Sequence, residues 1–261
     1  MRMSAPVSAA AGEIAVDTEA TGVIRIFIGF DPRETVAYHV LTHSIQARAS
    51  VPAAIAPLAL AQLGHLLTRK RHPLQSTDFS FSRFLTPYLS GYEGWSLFMD
   101  CDMLMRDDVA RLWHLRDARY AVQVVKHDHK PRESIKFLGA AQTAYAKKNW
   151  SSMMLFNNAK CRALTPYYVN TASGLDLHQF RWLQSEDLIG ELPHRWNHLV
   201  GYDDPGAEIS LAHFTIGGPY FAQFAHGPLA DKWRAERDAM LFSGPPHNTS
   251  AGRGGEPCCD G

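Results

Sequence analysis

The chain carries no excess of either charge: lysine plus arginine and aspartate plus glutamate number 26 each in 261 residues. No bulk field therefore exists to attract nucleic acid or an anionic membrane surface, and a small-molecule partner is expected. Long apolar runs are also absent, with no window approaching the roughly 20 consecutive apolar residues that a membrane-spanning helix needs. Cysteine is scarce. Of four in the chain, Cys101 and Cys161 stand alone, while Cys258 and Cys259 are adjacent in the tail "SGPPHNTSAGRGGEPCCDG". No C-x-x-C spacing sets up a metal site, and this usage fits a reducing cytoplasm.

The first residues, "MRMSAPVSAAAGEIAVDTEATG", lack the apolar h-region of a secretion signal, and Glu13, Asp17 and Glu19 interrupt them. They are expected to form a disordered leader over 1–22, matched by a disordered Gly/Pro/Ser-rich tail over 243–261. Between them, 23–242 reads as one catalytic domain. At 46% hydrophobic and 20% charged residues the chain can bury a sizeable core.

"VIRIFIGFD" opens the ordered part with a buried strand, since its apolar run stops at Gly29, too short for a helix. Pro32 suits a first helical position, and Ala37, Leu41 and Ile45 recur every four residues, so a helix follows. "AAIAPLAL" (53–60) is a second strand, which Pro57 confines to a sheet edge. A short helix over "SRFLTPYLSG" ends at Gly91, and "WSLFM" (95–99) is a third strand. "DDVARLWHL" supplies a helix with Asp107 and Asp108 in its first turn; "YAVQVV" (120–125) and "SSMMLF" (151–156) are further strands. This alternation implies an α/β fold, a mixed, mostly parallel sheet flanked by helices.

Within "GWSLFMDCDML" (94–104) the third strand ends in Asp100 and Asp102. Ligands of open α/β sheets bind at the carboxyl ends of strands. Side chains two apart on an extended chain point the same way, so both carboxylates can approach one hard cation while Cys101 faces elsewhere. Mg²⁺ or Mn²⁺ suits them, with phosphate oxygens of a nucleotide diphosphate as natural co-ligands. A turn with an Asx cap uses the same tripeptide, and the residues alone leave both readings open.

Over about residues 23 to 224 the sequence resembles the family 8 glycosyltransferases, retaining enzymes of the GT-A fold that include glycogenin-like and lipooligosaccharide galactosyltransferases. The resemblance implies Mn²⁺ (or Mg²⁺), a UDP-sugar donor, and a saccharide, lipid-linked or protein acceptor. A cytoplasmic place, including the inner face of a membrane, is compatible with it. "LFMDCDM" is similar to the family's metal motif, which implies Asp100 and Asp102 as ligands, with His213 in "HFTIGGPYF" as the third. "IFIGFD" implies that Gly29, Phe30 and Asp31 meet the base, and "FSRFLTPYL" that Arg83 meets the donor. Gly217 and Gly218 offer backbone that a pyrophosphate can approach closely.

The sequence departs from the family in three places. The loop lysine that helps hold the diphosphate is missing, because Pro219 directly follows Gly218. The family's Asn-Ser-Gly reads "NWSSMMLFN", with Trp150 and Ser152 in place of the asparagine and glycine. Its Asp-Gln-Asp is closest to "SEDLIG", which keeps Asp187 but has Glu186 where the glutamine lies. Glu186 reads first as an exposed charge complementing a helix start, and it is kept as a candidate nucleophile for a double displacement.

"KHDHKPRESIK" (126–136) is a second polar cluster. Lys126, His127, Asp128, His129 and Lys130 follow a strand and offer ligand chemistry, but no second His-Asp pair is visible to complete a hydrolase-type site. A donor- or acceptor-side loop, or a solvated charge run, is expected there. Trp196 in "PHRWNHLV" either stacks on a sugar or lies in the core. Two alternatives to a glycosyltransferase stay open. A nucleotidyltransferase needs a Gly-rich basic loop, of which "GFDPRET" is a poor version; a catalytically silent sugar-nucleotide or glycan-binding module needs only the degenerate site.

Overall fold

A computed structural model describes residues 22–71, 75–128 and 146–241. The expected leader, apart from Gly22, the tail and most of the "KHDHKPRESIK" loop lie outside these residues.

The larger sheet has six strands in the order β2-β1-β3-β6-β5-β7. They are β1 (Ile24–Gly29), β2 (Ala53–Leu58), β3 (Trp95–Met99), β5 (Val122–Val124), β6 (Met153–Asn157) and β7 (Ile189–Glu191). β1 runs parallel to both β2 and β3, and β5 parallel to β7; β6 alone is reversed, antiparallel to β3 and β5. The sheet is thus mixed and mostly parallel, as the alternation of strand and helix implies. β2 lies at the edge, where Pro57 costs no ladder bond on its open side. β3 is central and all five of its residues are buried, each large apolar side chain contributing about 1.5–3 kcal/mol.

Helix α1 (Thr35–Gln46) follows a 3₁₀ turn at Pro32–Glu34, and buries Ala37, Tyr38, Val40, Leu41, Ser44 and Ile45. The "SRFLTPYLSG" segment divides into a 3₁₀ turn (Ser82–Leu85) and α2 (Thr86–Leu89), and the chain then turns through Gly91 at φ +67°. α3 (Val109–Trp113) starts later than its acidic residues suggest: Asp108 is its N-cap and accepts from the Ala110 amide at 2.9 Å. The short helices α4 (Pro166–Thr171) and α5 (Gly174–His178) follow β6, and α6 (Ala230–Met240) packs on α1.

A second sheet of three strands has the order β4-β9-β8, built from β4 (Met103–Met105), β8 (His198–Leu199) and β9 (Leu211–His213). The chain leaves the large sheet at Met99 and enters the small one at Met103, so the two aspartates occupy the junction. The Asp100 amide donates to Ser152 O on the β6 side, and Asp102 O accepts from the Phe214 amide on the β9 side. Backbone bonds from both sheets thereby fix the tripeptide.

Candidate metal centre

Asp100, Asp102 and His213 come together at this junction. Each offers a ligand atom, and these atoms lie within 4.8 Å of one another. All three residues are buried, His213 with 2% of its side chain exposed. Register explains the meeting: β9 pairs Met103 with His213 across the small sheet, one residue beyond Asp102.

Which imidazole nitrogen faces the aspartates is set by a chain of hydrogen bonds. Ser152 Oγ donates to Asn149 O at 2.6 Å, so its lone pairs accept from Asn197 Nδ2 at 2.9 Å. With its nitrogen thus a donor, Asn197 presents Oδ1 to His213 Nδ1 at 2.9 Å, and the ring proton sits on Nδ1. His213 Nε2 then points a lone pair toward Asp102 Oδ1 at 3.5 Å. A cation placed between these two atoms would be held by both. The donor set of two carboxylates and an imidazole fits Mn²⁺.

Arg83 belongs to the same group. Its guanidinium, 6% exposed, lies 2.9 Å from Asp100 Oδ1 and donates to Ser151 O at 2.8 Å and Phe79 O at 3.3 Å. Within the junction Cys101 is fully buried, and burial pushes its thiol well above the ordinary value, with the charges of Glu34, Asp102 and Asp100 adding to the effect. It is a packing residue rather than a thiolate ligand. Tyr220, carried past the glycine pair, donates its hydroxyl to the buried Glu34 at 2.6 Å.

Asp31 follows β1 on the carboxyl edge of the sheet that also carries Asp100. Its carboxylate accepts from Arg33 N at 3.0 Å, Arg33 Nε at 2.9 Å, Arg33 Nη2 at 2.5 Å and Asp78 N at 3.1 Å. Burial works to raise its pKa, and these bonds from Arg33 and Asp78 outweigh it and leave the group below its ordinary value. The neighbouring Phe30 ring meets Tyr38 edge-on at 5.5 Å. The glycines have packing reasons of their own. A Cβ on Gly29 would meet the Phe79 ring at 2.3 Å, and one on Gly218 would meet Tyr220 at 2.2 Å. Gly217 takes φ +143°, closed to other residues, and its amide donates to Phe214 O at 2.8 Å.

Glu186 and Asp187 stand apart from the three-ligand group. They sit on a 3₁₀ turn before β7, which lies three strand spacings from β3, about 14 Å across the sheet. Glu186 is 80% exposed and paired with Lys147 Nζ at 2.6 Å, and this contact lowers its pKa. Asp187 accepts from the Ser185 hydroxyl at 3.1 Å. Trp196 is fully buried in the core, and Trp150 donates its indole N–H to His127 O at 2.8 Å.

Sequence reasoning passed over Asn149, Ser152 as a support, Asn197 and Tyr220. Asn197 lay in plain view inside "PHRWNHLV", but nothing local marks which histidine it holds. His127 also has neighbours that the sequence does not announce: His194 and Asp203, from segments far along the chain, bring ligand atoms within 4.8 Å of it and of one another.

No family model matches the chain. It is 46% identical over 223 residues to Protein CDI of Arabidopsis thaliana, covering 82% of this chain and 86% of that protein. Among solved structures it is similar to the WbbM bifunctional glycosyltransferase, with TM-score 0.54 and 15% identity over 82% of this chain. It spans only 52% of that protein. It is also similar to galactosyltransferase LgtC in complex with donor and acceptor sugar analogs, with TM-score 0.53 and 12% identity, covering 86% of this chain and 98% of LgtC. At these identities the likeness shows the fold, a GT-A glycosyltransferase-like fold.

Proposed function

The chain belongs to the family of Protein CDI, and from that premise we propose that it is a retaining glycosyltransferase of the family 8 kind, moving a hexose from a UDP-sugar to a saccharide, lipid-linked or protein acceptor. The reading rests on one observation above all: the convergence of Asp100, Asp102 and His213 at the junction of the two sheets.

Asp100 and Asp102 supply the anionic ligands for Mn²⁺ and His213 the neutral one. When bound, the ion neutralises the leaving diphosphate and so lowers the barrier to breaking the sugar–phosphate bond. Arg83 keeps the Asp100 carboxylate from rotating, and Asn197 keeps His213 in the tautomer whose Nε2 can ligate. The base lies against the end of β1, with Asp31 holding the turn that shapes it and the backbone of Gly29 and Phe30 beside it. The exposure of Glu186 and its pairing with Lys147 support a retaining attack on the face from which the phosphate departs over one that uses Glu186 as nucleophile.

The experiment incubates the protein and an Asp102→Asn variant with Mn²⁺ and a panel of UDP-hexoses, following UDP release. Release by the parent and its loss in the variant are expected. If UDP with Mn²⁺ gives the parent no thermal stabilisation, the metal–nucleotide reading fails. Stabilisation without release or transfer points instead to a sugar-nucleotide binding module.

A further inference from the structure

We propose that His127, His194 and Asp203 form a second metal site, suited to a borderline transition metal such as Zn²⁺ and distinct from the carboxylate-rich group at the sheet junction. Three separate segments deliver these residues: His127 follows β5, His194 opens the 3₁₀ turn His194–Asn197, and Asp203 follows β8. Their ligand atoms lie within 4.8 Å of one another. His194 Nδ1 is 3.5 Å from Asp203 Oδ2, close to the roughly 3.4 Å between two donors on a tetrahedral ion with bonds near 2.1 Å. The His127 and His194 rings meet edge to face, 4.7 Å apart at 79°.

The surroundings hold two of the donors in place. The Leu199 amide donates to Asp203 Oδ2 at 2.6 Å, orienting the carboxylate as supporting hydrogen bonds do at metal sites. The Trp150 indole donates to His127 O at 2.8 Å and anchors that backbone. An ion pair between His194 and Asp203 alone accounts for their contact. The buried His127 brings a third ligand atom to the same point.

Ligand chemistry separates the two groups. Two imidazoles with one carboxylate favour Zn²⁺, Co²⁺ or Ni²⁺, whereas two carboxylates with one imidazole favour Mn²⁺ or Mg²⁺. His194 is 54% exposed and Asp203 17%, so the site opens to solvent and leaves a coordination position for water or a polar ligand. The two groups share a support: His194 and Asn197 lie on one turn, and Leu199 pairs with His213 in the small sheet. A metal on His194 and Asp203 therefore braces the segment that orients His213.

The test uses the full chain with Cys258 and Cys259 replaced by serine, so that tail thiols supply no site. Zn²⁺ uptake by metal-free protein is followed against a chromophoric chelator, and Co²⁺ binding by its visible d–d bands. The proposal expects one Zn²⁺ site to survive Asp102→Asn, which disables the first group, and that remaining site to weaken about ten-fold or more when His194→Ala or Asp203→Asn is added. Melting curves without metal verify that each variant is folded. No uptake by the parent, or uptake unaltered in both His194→Ala and Asp203→Asn, overturns the proposal. Uptake lost only in Asp102→Asn also overturns it, by assigning the metal to the first group. None of these outcomes depends on sugar transfer.

Discussion

His213 donates its Nδ1 proton to the side-chain oxygen of Asn197 at 2.9 Å, and this hydrogen bond decides that Nε2 faces Asp102. Asn197 is itself fixed by Ser152 and Asn149. Asn197→Ala releases the imidazole to either tautomer. Mn²⁺ affinity, read by electron paramagnetic resonance titration, should fall about 10–100-fold, as it does when supporting partners of metal ligands are removed. Unaltered affinity would show that the ligating nitrogen needs no such support.

Arg83 and Asp100 form a buried ion pair, and breaking one side of such a pair leaves an uncompensated charge in a dry place. Arg83→Met should therefore cost about 3–5 kcal/mol in urea unfolding. Because a divalent cation restores positive charge beside Asp100, Mn²⁺ should recover part of that loss in the variant and stabilise the parent less. Equal stabilisation of both proteins by Mn²⁺ would separate Arg83 from the metal group.

Asp31 carries a pH prediction. Its folded-state pKa lies below the ordinary 3.8, so as pH falls the unfolded chain takes up this proton first. The stability contributed by the ionised carboxylate is full above the ordinary aspartate range and disappears as pH drops through the depressed folded value. Asp31→Asn should be less stable than the parent at neutral pH, and the gap should close on acidification. A gap that stays constant to low pH would assign the loss to shape instead of charge.

Glu186 tests the chemistry. Loss of a protein nucleophile costs on the order of 10⁴-fold or more in turnover. The proposed reading leaves the exposed carboxylate, paired with Lys147, out of the chemistry, and on it Glu186→Gln should release nucleotide at close to the parent rate. A collapse of turnover with donor binding intact would reinstate the double displacement.

The strand-end aspartates were legible because an apolar run such as Trp95–Met99 stops at its first buried charge, and Pro57 announced an edge for an equally local reason. The direction of β6 was not legible, since an apolar run reads alike in a parallel or antiparallel ladder. Nor was β4: three residues carry no period, and Met103–Met105 becomes a strand only because Leu211–His213 arrives to pair with it. Asn197, His194 and Asp203 take their meaning from partners brought by tertiary structure. A motif marks candidate ligands by their spacing and carries no mark of the residues that would hold them in place.

Gly29 separates packing from ligand approach. Ligands of such sheets bind at the carboxyl ends of strands, where a glycine invites the view that a nucleotide needs the space. Here that space is filled by the Phe79 ring, 2.3 Å from where a Cβ would stand. Gly29→Ala forces the ring aside, an overpacking that costs about 1–3 kcal/mol. If the constraint is Phe79 alone, Gly29→Ala combined with Phe79→Leu should be destabilised by less than the sum of the two single changes, because the smaller side chain admits the methyl. UDP affinity, measured calorimetrically with Mn²⁺, should then be near the parent's in the double variant. Stability restored without UDP affinity would give Gly29 a second role, keeping the end of β1 open to the nucleotide.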